Sequence, residues 1–257
     1  METAERRVIR LRNGTAHQVD DRVATEEPLE IRLADVPIAV LMRTPGADTD
    51  LIRGFLLTEG ILLDPGEVGT LTRLDEHRWN VEPTVDIDPE RFRRTMFASS
   101  SCGVCGKASI DAVRIAARTL PSGPTVDVDR IDRVMERLSL GQPAFSLTGG
   151  LHAAGVFTDD DVLAVREDVG RHNAVDKAIG AAATSRWPVS PTILAVSGRL
   201  SFEITQKAAV AGVSVVAGIS APSSLAVDLA RELGMTLIGF ARRGSMVVYA
   251  DADRVIF

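Results

Sequence analysis

The segment Phe97–Lys107, FASSSCGVCGK, holds both cysteines of the chain, Cys102 and Cys105, in a single CxxC. Two thiols at that spacing can close a disulfide or point at one atom. Gly103 and Gly106 open backbone conformations closed to other residues and leave room for a reagent to reach sulfur. The nucleophile in sulfur chemistry is the thiolate, not the thiol. Lys107, the hydroxyls of Ser99 to Ser101 and the start of a following helix all favour that form. A structural zinc site would lack half its ligands, because there is no second cysteine pair and no histidine at a finger-like spacing. A buried, inert CxxC fits poorly with flanks so rich in Ser and Gly. GVCGKA is not a Walker A loop, which needs four residues between its glycines and Ser or Thr after the lysine. Here there are two, and Ala108 follows. Two chemistries remain: a thioredoxin-type redox pair, and a sulfur relay in which one cysteine holds a persulfide while the other assists or resolves. A thioredoxin motif usually follows the first strand of a βαβ unit, and this one lies far into the chain. Spacing alone does not decide between them.

Four further segments put small and polar residues where strands meet helices. These are Thr148–Ala153 (TGGLHA), Glu167–Lys177 (EDVGRHNAVDK), Ser197–Lys207 (SGRLSFEITQK) and Phe240–Tyr249 (FARRGSMVVY). In open α/β sheets, ligands bind at the carboxyl ends of strands. Gly170 and Gly198 fit that geometry, and Arg171, Arg199, Lys207, Arg242 and Arg243 would give a cationic lining suited to phosphates. Each residue also has a plainer reading. Asp168, Ser197 and Ser223 are good helix caps. His152 and His172, taken singly, are better explained by local hydrogen bonds than by catalysis. Ala195–Gly198 resembles a serine-hydrolase elbow only loosely, since Ala195 replaces the first glycine. The case for a site rests on clustering.

These segments need a scaffold, and the hydrophobic pattern predicts one. Two strands, Leu29–Leu33 and Ile38–Met42, turn at Asp35. A helix over Asp48–Leu63 follows, with Asp50 as its cap, and short strands around Thr70–Asp86 complete a small α+β unit. Pro89 opens a basic helical turn, PERFRR, before the cysteine segment. An amphipathic helix over Lys107–Leu120 ends at a break, Pro121–Pro124, which divides the chain into units 1–120 and 121–257. Beyond it, a helix over Asp129–Leu140 precedes strands at His152–Phe157 and Val162–Arg166. Helices at Arg171–Ala183, Phe202–Ala211 and Ser223–Leu233 then alternate with strands at Thr192–Val196, Ser214–Ile219 and Thr236–Phe240. That rhythm implies an α/β fold with a mostly parallel sheet between helices.

The 257-residue chain is 45% hydrophobic and 25% charged, as ordinary globular proteins are, and carries a net charge of −6. That balance argues against broad capture of nucleic acid. No stretch approaches the roughly 18–20 apolar residues of a membrane span. The opening METAERRVIRLR has no apolar region behind its basic residues, so the expected location is the cytoplasm.

SSCGVCGKAS, TGGLHAA, EDVGRHNAVDK, SGRLSFEITQKAAVAG and SAPSSLAVDLARELGMTLIGFARRGSMVVY, in that order from about Pro28 to Tyr249, resemble the formate dehydrogenase accessory sulfurtransferases (FdhD). The resemblance implies a larger half with a cytidine-deaminase-like three-layer fold and a smaller N-terminal α+β unit. It implies a sulfurtransferase that takes sulfur from a cysteine desulfurase. The sulfur passes to the bis(guanine dinucleotide) form of the molybdenum (or tungsten) cofactor, a bound substrate destined for formate dehydrogenase. By position, Cys102 carries the persulfide and Cys105 assists. Phe240, Ala241, Arg242, Arg243, Gly244 and Ser245 contact the guanine nucleotide, and the expected assembly is a homodimer with no intrinsic metal. Val247 departs from the Asn that the family often has before Val-Tyr. Deaminase chemistry would need a catalytic zinc held by His or Cys plus Cys-x-x-Cys, with a Glu beside the metal-bound water. His172 is followed by Asn173 and Ala174, and the helix after SGRLSFE brings no cysteine. Two other readings stay open: a CxxC thiol-disulfide oxidoreductase, and a non-catalytic chaperone for the molybdenum cofactor.

Overall fold

The computed structural model describes residues 1–93, 120, 123–159 and 161–257. Cys102, Cys105 and the helix expected over 107–120 lie outside the described residues, as do Pro121 and Ser122 of the expected break. The chain opens on a hairpin that periodicity did not announce, β1 (Thr3–Arg12) and β2 (Thr15–Ala24). Its side chains are mostly polar on both faces, so no apolar alternation marks it.

β3 (Glu27–Leu33) and β4 (Val36–Arg43) form the next hairpin, where Ala34 and Asp35 both take positive φ, 47° and 63°. Such two-residue turns suit the twist of paired strands. Leu29, Ile31 and Leu33 point inward and are fully buried. α1 (Asp48–Thr58) lays Leu51, Ile52, Phe55 and Leu56 against them. β5 (Thr70–Arg73) and β6 (Arg78–Glu82) complete a four-stranded sheet of order β4-β3-β6-β5, and α2 is the turn Glu90–Arg93. The expected cap at Asp50 is corrected: Ala47 holds the cap position without a side-chain bond. Asp50 instead accepts from the Arg166 guanidinium at 2.9 Å.

α3 (Val128–Leu140) starts on Asp127, whose carboxylate caps the Arg130 amide, and α4 (Pro143–Thr148) follows. The second sheet contains β7 (His152–Phe157), β8 (Val162–Asp168), β9 (Ile193–Val196), β10 (Val215–Gly218), β11 (Thr236–Arg242) and β12 (Ser245–Ala250). Its order is β12-β11-β10-β9-β7-β8. Between the strands run α5 (Arg171–Ala182), α6 (Phe202–Val210) and α7 (Ser224–Glu232). Residues alternate between two apolar layers. Ala154, Leu194, Val196, Val216 and Leu237 meet α5, α6 and α7, while Ala153, Ile193, Ala195, Val215 and Ile238 meet α3. Helices therefore cover both faces. The expected mostly parallel sheet is corrected to a mixed one, parallel only at β9–β10 and β10–β11. β7–β8 and β11–β12 are hairpins, and connections that short force antiparallel pairing. Among the described residues no helix is long and apolar enough to cross a membrane.

The two sheets meet where α1 crosses α5. A Cβ on Gly54 would sit 1.8 Å from the Asp176 carbonyl oxygen, and one on Gly180 would sit 2.0 Å from that of Asp50. The helices approach backbone to backbone, which no larger residue allows. Beside the crossing, Lys207 of α6 reaches Asp176 at 2.9 Å, Glu59 at 2.7 Å and the Thr58 hydroxyl at 3.0 Å. Gly54→Ala is therefore expected to cost at least about 2 kcal/mol, since backbone cannot yield as a side chain can. Lys207→Met, which strands two carboxylates, should cost about 3–5 kcal/mol. Urea unfolding measures both; midpoints at wild-type values would show that the crossing is not as tight as described.

Candidate functional site

β9, β10 and β11 run parallel, so they end at one edge of the sheet. β7 enters and β8 leaves at that same edge, with His152 paired to Asp168 and Ala154 to Val196. This topology gathers all four polar segments singled out from the sequence. The Ser197 hydroxyl accepts the Ala153 amide at 2.8 Å and ties the first segment to the third.

Phe240–Ser245 is the turn from β11 into β12. Phe240 takes φ 49°, an uncommon value for an aromatic residue, and the strand pairing is irregular between Gly239 and Arg242. Such a bulge re-aims side chains at a strand end. The half-exposed Phe240 ring lies 6.5 Å from that of Tyr249. Gly244, at φ 70°, donates its amide to the Asp132 carboxylate of α3, which holds the turn. Arg242 and Arg243 are exposed, and among the described residues neither forms an ion pair. They line a groove of about 520 Å³ with Met135, Ser139, Ile219 and Ala241. Ala241 is otherwise committed to the core against α3. A second cavity of about 420 Å³ adjoins the first through Ser139 and Ile219, and continues past Gln142, Phe145, Gly149 and His152.

His152 sits at the far end. Burial pushes its pKa below the ordinary value of 6.5, and the nearby charges of Arg171, Arg199 and His172 push the same way against Asp168. His172 meets Glu203 at 2.9 Å and the Ser201 hydroxyl at 3.2 Å, all through Nε2. Acid and hydroxyl share one ring nitrogen, so this is no relay of the serine-hydrolase kind. The elbow resemblance at Ser197 fails likewise, because its hydroxyl is spent on the backbone.

Several sequence expectations change here. Lys207 does not line the site: it is buried in the joint, where Asp176 and Glu59 outweigh the cost of burial and hold its pKa above the ordinary lysine value. Asp168 is not a helix cap. It is fully buried, 2.8 Å from Lys177, and accepts the Thr44 and Gly170 amides at 3.1 and 2.8 Å. Ser197 caps nothing, whereas Ser223 does cap α7. The wall formed by α4 went unanticipated, although Pro143 at its start and Gly149, at φ 65°, just past its end were signals in plain view. Cys102 and Cys105 lie outside the described residues.

The His152 ring should be neutral at pH 7 and titrate below 6.5. Because its native pKa is depressed, this group's stability contribution is present above 6.5 and lost as pH falls through the native pKa. Arg199→Ala removes a positive neighbour and should raise the ring's pKa toward 6.5. Histidine NMR titration reads this directly, and an unmoved midpoint would place Arg199 away from the ring.

Comparison with known proteins agrees with this architecture. A crystal structure of a protein from Desulfotalea psychrophila, provisionally described as a formate dehydrogenase accessory protein, superposes with a TM-score of 0.82. It covers 100% of both chains at 22% identity, a likeness of fold. Proteins named sulfur carrier protein FdhD are far closer in sequence. That of Streptomyces coelicolor is 48% identical over 98% of this chain and 95% of its own. That of Mycobacterium tuberculosis is 47% identical over 98% of each, and that of an Anaeromyxobacter strain 50% over 98% and 93%. The FdhD/NarQ family profile matches residues 24–256, and with identities of this order over nearly the whole length the chain belongs to the FdhD/NarQ family.

Proposed function

We propose that this protein is a sulfur carrier that serves formate dehydrogenase, and that Cys102 holds the sulfur as a persulfide. The observation that carries the reading is the conjunction of near-full-length similarity to proteins named sulfur carriers with a single CxxC holding the only two cysteines. In the loading step the Cys102 thiolate attacks the outer sulfur of a donor persulfide on a cysteine desulfurase. The donor S–S bond breaks, the donor leaves as a thiolate, and Cys102–S–SH forms, so no further oxidant or reductant is needed. Cys105 assists.

The acceptor is the molybdenum (or tungsten) bis(guanine dinucleotide) cofactor, taken as substrate. Its guanine nucleotide lies along Phe240–Ser245, with Phe240 offering a ring face and Arg242 and Arg243 offering guanidinium groups for phosphate. The two arginines, without an ion pair among the described residues and beside a groove of about 520 Å³, support this placement. The protein works in the cytoplasm as a homodimer without an intrinsic metal. We further take the three-layer half as cytidine-deaminase-like and the chain as two units, 1–120 and 121–257. Apolar clusters centred under the four-stranded and six-stranded sheets, bridged by Ala183 and Trp187, support that division.

After incubation with a desulfurase and cysteine, intact mass should rise by about 32 Da for each sulfur bound. A loss of about 2 Da would indicate a disulfide and the oxidoreductase reading; no change would leave a chaperone. Cys102→Ala should abolish loading with an unchanged melting temperature, and Cys105→Ala should be milder. Formate dehydrogenase activation by Cys102→Ala at the wild-type level would sink the assignment. Arg242→Ala and Arg243→Ala should each weaken GDP binding by about 1.5–3 kcal/mol in calorimetry while leaving persulfide loading intact. Unchanged affinity in both would move the nucleotide elsewhere.

A further inference from the structure

We propose that His152, Arg171 and Arg199 form a second phosphate-binding subsite, at the other end of the groove from Arg242 and Arg243, that takes the phosphate or pyrophosphate portion of a nucleotide-bearing ligand. Only the identity of the ligand rests on the reading given above; the anion site stands on its own geometry.

The geometry begins with β7 and β8. His152 opens β7 opposite Asp168, which closes β8, and the chain then turns through Gly170 into α5 with Arg171 as its first residue. β9 leaves the sheet beside them. A Cβ on Gly198 would lie 3.4 Å from His152 Nδ1, so this glycine lets the backbone carrying Arg199 pass close to the ring. His152 also lines the cavity of about 420 Å³ that continues into the groove beside Arg242. Each cavity lies within the size range of small-molecule sites, roughly 300–1,000 Å³. Together they make an elongated channel with Arg242 and Arg243 at one end, where Asp132 and Glu136 also line it, and at the other end His152, with the charges of Arg171 and Arg199 near its ring.

The charge pattern is the second observation. Among the described residues every carboxylate around His152 is already engaged. Asp168 is saturated by Lys177, Asn173 and two backbone amides. Glu203 faces His172, and Glu167 accepts the Ala144 and Phe145 amides that start α4. Among the described residues Arg171 and Arg199 form no ion pair, and the buried Arg171 Nε has no hydrogen-bond partner. A half-buried guanidinium with an unsatisfied N–H, beside a second arginine and a histidine, costs stability unless an anion joins it. Among the described residues no side chain supplies that anion. α5 adds the free amides of its first turn, since Gly170 gives its N-terminus no side-chain cap. Phosphate suits the set, because guanidinium groups and main-chain amides bind its oxygens in several directions at once.

Calorimetric titration of the full chain with pyrophosphate and with GDP tests this, using Arg199→Ala, Arg171→Gln and Arg242→Ala. Pyrophosphate should bind the wild type and lose at least tenfold in affinity in Arg199→Ala and Arg171→Gln, but not in Arg242→Ala. GDP should bind more tightly than pyrophosphate and weaken in all three. If Arg171→Gln melts early, Arg199→Ala, which alters an exposed side chain, decides together with His152→Gln. No pyrophosphate binding by the wild type, or equal affinity in Arg199→Ala, overturns the subsite. Pyrophosphate binding as tight as GDP overturns the nucleotide as its ligand. GDP binding lost in Arg199→Ala but kept in Arg242→Ala would remove the placement at Phe240–Ser245 and leave the subsite standing.

Discussion

The close crossing of α1 and α5 is the constraint on which the rest depends. Gly54 and Gly180 let the two backbones touch, and any side chain at either position would strike a carbonyl oxygen. The contact locks the helix that covers the four-stranded sheet to the helix that opens at the site edge. Arg166, Lys177 and Lys207 then close the seam with ion pairs and hydrogen bonds, the two lysines almost wholly buried. Burying that much charge is justified energetically only if every group finds a partner, and these do. Lys177 also reaches the Thr44 carbonyl at 2.8 Å while Asp168 takes the Thr44 amide, so one residue of the N-terminal sheet is held from both sides. The direction in which Gly170, Arg171 and His172 leave β8 follows from that clamp.

This division of labour explains which polar residues stay at the strand ends and which are drawn into the seam. Lys207 and Arg199 stand eight positions apart in one polar segment and are equally cationic in sequence. One turns inward to two acids at the seam; the other stays at the strand end, exposed. Nothing in the local sequence separates them, because the separation is made by Glu59 and Asp176, which arrive from distant elements. The same holds for Asp168, whose cap-like setting gave no sign of Thr44 on the far side.

What was legible followed periodicity. β3, β4, β7 and the helices α3, α5, α6 and α7 emerge close to their expected bounds, since each alternates or repeats apolar residues against one core layer. The three-layer order was legible for the same reason, and strand direction was not: parallel and antiparallel neighbours bury the same side chains, and only connection length tells them apart. The strand ends carrying Gly198, Arg242 and Arg243 were legible as a cluster because small and charged residues interrupt apolar strands there. The hairpin β1–β2 and the wall α4 were missed because neither carries an apolar period. One is charged along both strands, and the other spans barely more than a turn.

That hairpin has its own consequence. Its cross-strand pairs, Arg7–Asp20, Arg10–Asp21 and Arg22–Glu5, are exposed and contribute little, and a two-stranded ribbon is marginal by itself in water. Its anchorage is therefore at its base, where the Thr25 amide bonds the Glu2 carbonyl at 2.9 Å and Ala24 packs toward Gly150. Amide hydrogen exchange along β1 and β2 should then be graded, fast at the Asn13–Gly14 tip and slowing toward that base. Gly149 and Gly150 border the cavity beside His152, so the rim of that cavity leans on the least protected ribbon of the fold. The rigidity of the site is thus asymmetric: a clamped floor inherited from the seam, and one wall whose persistence is set by local opening.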